Sequence, residues 1–472
     1  MTNVQIVSTL QNRANQKRAV HYSSSTVFFA IFNPDKEIDT EVSLLNHFIL
    51  KRNINDVMAK VEIYDLKGQL KKSLNFKMDE KRTYSVKLSD YFDEAFIGSI
   101  YIFFKSSENL AVPFCAVITA VKTNKSVSGV HTYGRILEQK ELGTNIDIKE
   151  TIETGWTVRD QKNIKSFAVL HGGRFELDLK IKLEISNHKN EKKISESKVH
   201  LDPFGSLVLV AQDLIDDLIN HLDGKKGHAK VYIEGIKGIF PRMLCGNYLN
   251  NTNNQTVLSS KEIQFTHTNF DFSNIKQPDA LGSYGYYNQP SIPNGYGIIY
   301  PVETSKTIYV DEKIYSSNTI HHINTSEKSQ IPIHTKNENL PSRFVAAAIG
   351  NWKDALLESE CSTGTFTKDW IKYPCHWHWG LLKPGFEKGK SIISILVNKF
   401  DNDIDINRTI NLRLFDNSGL IIEQDVNLNN STEINTENII SNKKTEGPVW
   451  YVLSGDKLED LYILSTFYPK IL

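Results

Sequence analysis

The residues best suited to chemistry lie close together late in the chain, in Glu358-Ser-Glu-Cys-Ser-Thr-Gly364 and Tyr373-Pro-Cys-His-Trp-His-Trp-Gly380. The span from Glu358 to Gly380 brings together two glutamates, two cysteines, two histidines and three of the six tryptophans (Trp370, Trp377 and Trp379). On a strand, successive side chains alternate faces, so the His-x-His spacing turns His376 and His378 the same way. Two imidazoles with a carboxylate or thiolate alongside suit a divalent metal, zinc or iron. Glu358 and Glu360 have the same spacing. The metal expectation is therefore His376 and His378 as ligands, completed by His131, His267, Glu358 or Cys375, with Glu360 as the general base for a bound water. The spacing matches neither H-E-x-x-H nor paired C-x-x-C. The alternative is structural: tryptophans closing one end of a β-domain and histidines hydrogen-bonded inside it.

The elements that must position these residues read as strands. From Ser25 onward come TVFFAIFNP, TYSVKLSDYF, GSIYIFF and similar short β-branched and aromatic runs, separated by Asp, Gly, Asn and Lys turns. That pattern predicts an all-β chain of antiparallel strands. Helical patterning is confined to Gln212–Leu222 and a shorter stretch, Trp352–Leu357.

Three parts of the chain also resemble one another. Val61-Glu-Ile-Tyr-Asp-Leu-Lys-Gly68 aligns with Leu183-Glu-Ile-Ser-Asn-His-Lys-Asn190 and with Leu412-Arg-Leu-Phe-Asp-Asn-Ser-Gly419. Each is an alternating strand running into a tight hairpin turn. A second match follows at Val86, Val208 and Ile434, then a glycine leading an aromatic strand at Gly98, Gly227 and Gly447. Each copy closes on a small residue, Cys115, Cys245 or Ser465, which makes the two cysteines core positions. His131 and His267 then occupy matching His-Thr pairs, either as convergent ligands or as caps of a repeated turn.

The organisation predicted is an N-terminal extension (1–19) and three tandem β-sandwich-like domains (20–140, 141–272 and 342–472). A Tyr/Gly/Pro-rich insertion (273–341) precedes the third. Its tyrosines, Tyr284, Tyr286 and Tyr287, offer apolar faces with hydroxyls for a sugar or a protein, as Trp377 and Trp379 would.

Lysine plus arginine and aspartate plus glutamate balance at 55 each in 472 residues, which argues against general nucleic-acid or anionic-membrane binding. No apolar run approaches membrane-spanning length, and the first residues lack a secretory core, so a soluble, cytoplasmic protein is expected. Four cysteines make no disulfide framework, and that compartment disfavours a Cys361–Cys375 bridge. Phosphate-loop, dinucleotide and nucleophile-elbow motifs are missing, so no nucleotide cofactor is expected. The leading expectation is a non-enzymatic binding or scaffold protein, recognising a glycan or another cell-surface-related ligand. A metal-dependent hydrolase or isomerase is the alternative.

Overall fold

The computed structural model describes residues 23–108, 110, 115–124, 126–143, 151–240, 242–250, 256–260, 263–267, 269–270, 282–288, 296–299, 306–315, 321–324, 330–340, 346–352, 355–361, 365–367, 374–385, 389–399, 407–440 and 443–469. These residues are predominantly β, in antiparallel sheets. No helix among them is long and apolar enough to cross a membrane.

The first strands are β1 (Ser23–Phe32), β2 (Asp39–Leu45), β3 (Val57–Asp65), β4 (Leu70–Met78), β5 (Thr83–Lys87), β6 (Phe96–Lys105), β7 (Val117–Lys122) and β8 (Val127–His131). They form two sheets, ordered β1-β6-β3-β4 and β5-β2-β7-β8. Next come β9 (Thr151–Val158), β10 (Ile164–His171), β11 (Leu177–Ser186), β12 (Lys192–Leu201), β13 (Ser206–Val210), β14 (Gly227–Glu234), β15 (Leu244–Leu249), β16 (Ile263–His267) and β17 (Asn269–Phe270). Their sheets run β12-β11-β14-β9-β17 and β13-β10-β15-β16.

The third group is β18 (Tyr284–Asn288), β19 (Tyr296–Ile299), β20 (Ile308–Val310), β21 (Lys313–Tyr315), β22 (His321–Asn324), β23 (Gln330–His334), β24 (Ala346–Trp352), β25 (Ala355–Cys361) and β26 (Thr365–Thr367). Its sheets run β21-β20-β23-β18-β26 and β22-β19-β24-β25. Last come β27 (Trp377–Lys383), β28 (Gly389–Val397), β29 (Thr409–Asp416), β30 (Gly419–Asn427), β31 (Ser431–Asn435), β32 (Val449–Ser454) and β33 (Leu461–Pro469), in sheets β27-β32-β29-β30 and β31-β28-β33.

Numbered within its own group, each of the first eight described strands takes the same place, and β17 and β26 add a ninth at the edge of their sheets. The first, sixth, third and fourth form one sheet, and the fifth, second, seventh and eighth the other, with the last group described through its seventh strand. Four sheet pairs share this order, where the sequence alignment picked out three segments. The stretch 273–341, read as an insertion, holds β18 to β23, and β24 and β26 from beyond residue 342 pair with β19 and β18.

The three aligned turns share their local cause. Asp65 Oδ1 accepts from the backbone N–H of Lys67 and Gln69, Asn187 Oδ1 from those of Lys189 and Glu191, and Asp416 Oδ1 from that of Ser418. Gly68, Asn190 and Gly419 then take the left-handed backbone that closes each hairpin, with φ of 79°, 60° and 122°. In the third group the β20–β21 hairpin turns through Asp311 and Glu312, both left-handed at φ 48° and 64°. Its geometry suits Asn-Gly, and the Asp-Glu pair gives no such cue.

The helix expected over Gln212–Leu222 is broken into Ala211–Leu214 and Leu218–Leu222, because Asp217 adopts φ 53° between them. Trp352 and Ala355–Leu357 instead lie on the paired strands β24 and β25, with Trp352 opposite Ala355, so strand pairing overrides local propensity.

Within each group the alternating apolar residues of both sheets meet in a shared core. Phe28, Val61, Ile63 and Ile102 meet Val42, Leu44, Val86 and Val121 in the first, and this cluster continues into Phe167, Val169 and Leu244 of the second group's β10 and β15. Cys115 and Cys245 are buried, and burial pushes the Cys115 thiol up to about 12. Ser465, half-buried, donates its hydroxyl to the Leu381 carbonyl.

Candidate functional site

The two halves of the chemically rich stretch belong to different sheets, since β25 carries Glu358 and Glu360 and β27 carries His378. Glu358 lies opposite Ile349 and Glu360 opposite Ala347 in the β24–β25 ladder, and their side chains lie outside the described residues. His267 ends β16 opposite Leu244, with its side chain likewise outside them. Trp370 falls outside the description altogether.

At the start of β27 each imidazole is taken by a carbonyl of the connection from β32 to β33. His376 is exposed, with Nδ1 3.3 Å from the Gly455 oxygen and 3.7 Å from the Asp456 carboxylate. His378 donates Nε2–H to the Leu458 oxygen at 3.0 Å and stands 3.6 Å from Cys375 Sγ. Burial opposes a thiolate at Cys375, but His378 beside it outweighs burial and holds the thiol below its ordinary value. His378 is raised for the reciprocal reason, against its own burial. A thiol and the N–H edge of an imidazole thus meet at one point. Among the described residues no group of three or more His, Cys, Asp and Glu side chains is placed to hold a metal.

The tryptophans face the first sheet pair. Trp377, Trp379 and Leu381 of β27 pack with Phe415, Trp450 and Val452 against Leu45 and Ala116. The Trp379 ring centroid is 5.4 Å from His131 and 5.6 Å from Trp450, and the Lys51 ammonium lies 5.0 Å over Trp377. Trp450 Nε1–H donates to Ser43 Oγ at 2.5 Å. His131 therefore joins the tryptophan cluster, and this face of the β27-β32-β29-β30 sheet is covered by another part of the chain.

The corresponding sheet of the first group is covered too. Tyr64 and Tyr101, turned away from their own core, pack with Phe204 of the second group, with Tyr64 and Phe204 stacked at 4.5 Å, and Tyr101 donates its hydroxyl to the Gly172 carbonyl. In the second group the same face is charged. Lys180 pairs with Glu234 and Lys192 with Glu184, both at 3.0 Å, and the Lys182 ammonium lies over Tyr232.

The third group has an aromatic face without the burial of the covered ones. Register places Ile314, Tyr309, His334 and Tyr284 in one row across β21, β20, β23 and β18. His334 stacks on Tyr309 at 5.1 Å and on Tyr284 at 6.2 Å, and Tyr286 meets Tyr284 edge-on. Ile314 is 67% and Tyr284 40% exposed. At the rim, Glu312 lies 3.4 Å from His334, and the Lys336 ammonium is 5.3 Å from the Tyr309 ring. Of the tyrosines read from sequence, Tyr284 and Tyr286 are on this face, the latter donating its hydroxyl to the Lys399 carbonyl at 2.6 Å. Tyr287 points the other way, into the core with Ile308 and Ile331. Tyr309, Ile314 and His334 were not singled out in the sequence, where alternation in Ile308–Tyr315 was the available signal.

No family model matches the chain, and no curated protein matches it.

Proposed function

We propose that the chain is a non-enzymatic binding or scaffold protein, built of tandem related β-sandwich-like units, with the outer face of the third sheet pair as its ligand surface. The row Ile314, Tyr309, His334 and Tyr284 carries this reading, because an exposed aromatic row beside the two covered ones is the feature that packing within the chain leaves unexplained. The common strand order supports the tandem part, and the shared cores of paired sheets support the sandwich part.

A glycan is the ligand class put forward first: Tyr284 offers an apolar ring with a hydroxyl, and Glu312 and Lys336 supply polar partners for sugar hydroxyls. Screening the wild type and Tyr284→Ala on a glycan array tests this. A signal weakened about tenfold or more in the variant is expected. A wild type that binds no glycan removes the sugar.

One observation bears on the metal-dependent alternative, the approach of the Cys375 thiol to His378, which a metal would join by displacing the proton that Nε2 gives to Leu458. Elemental analysis of the purified chain and of a His376→Ala, His378→Ala variant decides it. A stoichiometric metal lost in the variant would replace the scaffold reading.

A further inference from the structure

We infer that the outer face of the third sheet pair is the docking surface for a second copy of this chain. The inference rests on the binding reading above and names the partner.

Within this molecule the chemistry of that face follows whether protein covers it. The first group's face carries Tyr64, Tyr101 and Val27, which are buried with residues of the second group. The last group's carries Trp450, Phe415 and Val452, buried against Leu45 and Ala116 of the first. The second group's carries Lys180 and Glu234, paired at the surface, and Lys192 paired with the buried Glu184. The third has the composition of the covered faces and, at Ile314 and Tyr284, the exposure of the open one. In both covered cases the cover is another sheet pair of this same chain. It brings apolar side chains to the rings and an oxygen to the polar edge: the Gly172 carbonyl for Tyr101, and Ser43 Oγ for Trp450.

Charge points the same way. The rim carries both signs, Glu312 beside His334 and Lys336 over the Tyr309 ring. A partner of a single sign meets repulsion somewhere on such a rim. A second copy docked about a two-fold axis that sets Lys336 of each copy against Glu312 of its mate meets none. The balanced charge of the whole chain adds no long-range repulsion between copies. The Tyr309 and His334 rings, 10° from parallel at 5.1 Å, turn their faces to each other and their edges outward. A flat apolar surface fits those edges.

Sedimentation velocity of the full chain over rising concentration tests this, using wild type, Ile314→Lys, Glu312→Lys and Lys336→Glu. Ile314 is 67% exposed, so its replacement leaves the core alone, and circular dichroism checks that each variant is folded. The expected result is a concentration-dependent wild-type dimer and a monomeric Ile314→Lys. Glu312→Lys and Lys336→Glu should each self-associate at least about tenfold more weakly, and an equal mixture of the two should regain association, because their rims are then complementary. A wild type that stays monomeric throughout overturns the inference, and so does a dimer indifferent to Ile314→Lys. In the monomeric case, a glycan signal lost in Ile314→Lys preserves the binding reading with a sugar as ligand. A signal unchanged by that variant discards this face for both.

Discussion

The second and third sheet pairs set their strands in the same order and put opposite chemistry on the same face. Across β12, β11 and β14 the outward residues form ion pairs, Lys180 with Glu234 and Lys192 with Glu184. Across β21, β20, β23 and β18 they are Ile314, Tyr309, His334 and Tyr284. Strand order cannot cause that difference, since the first and last pairs share it and carry aromatic faces that are buried. The difference teaches that fold and face are separate variables here. The inward alternation specifies a sheet, and the outward alternation records what the sheet meets.

The strongest way to break this comparison is at a covered face. Trp450 is fully buried between the first and last pairs and donates to Ser43. Trp450→Ala should cost about 3–5 kcal/mol, as truncation of a buried tryptophan does. Chemical denaturation followed by circular dichroism would show it. A loss under about 1 kcal/mol would mean that the joint is loose and that aromatic composition does not report cover.

A carboxylate under the same joint gives the next largest effect. Glu41 on β2 accepts the Gly385 N–H at 2.7 Å, while its other oxygen has no hydrogen-bond partner. Burial raises its pKa from 4.5 to about 7, opposed by the Gly385 N–H and Lys87 and reinforced by Asp39. The folded chain therefore holds a proton that the unfolded chain releases above 4.5. The associated stability is complete below 4.5, falls as pH rises through about 7, and changes no further above it. Over that window the loss is on the order of 3 kcal/mol. Urea titrations at about pH 5 and pH 8 should show the wild type weakening, and Glu41→Gln, neutral throughout, should lose most of that slope. An unchanged slope in the variant would place the effect elsewhere.

Legibility in the sequence followed locality. The β3–β4, β11–β12 and β29–β30 hairpins were readable because one Asp or Asn side chain and one left-handed residue define each turn within a few positions. The third pair was not, because its strands are as short as Ile308–Val310 and its hairpin turns on Asp311 and Glu312. The Cys-His-Trp-His-Trp stretch could be located by residue type, but not its surroundings. What Trp379 touches is His131, on a strand of another sheet, and no spacing within β27 encodes that contact.

The smallest effect belongs to the open, charged face and sharpens the comparison by contrast. Lys180 and Glu234 lie directly opposite each other on β11 and β14, with side chains 67% and 56% exposed. Water screens such a pair, and holding two long side chains together costs entropy, so Lys180→Ala should change stability by no more than about 0.5 kcal/mol. The same substitution should leave self-association untouched, since the ion-paired face has no part in it. Thermal melts and sedimentation of this variant beside Ile314→Lys separate the two faces. If Lys180→Ala dissociated the dimer and Ile314→Lys did not, the charged face would be the interface and the rule linking aromatic composition to cover would fail at the third pair.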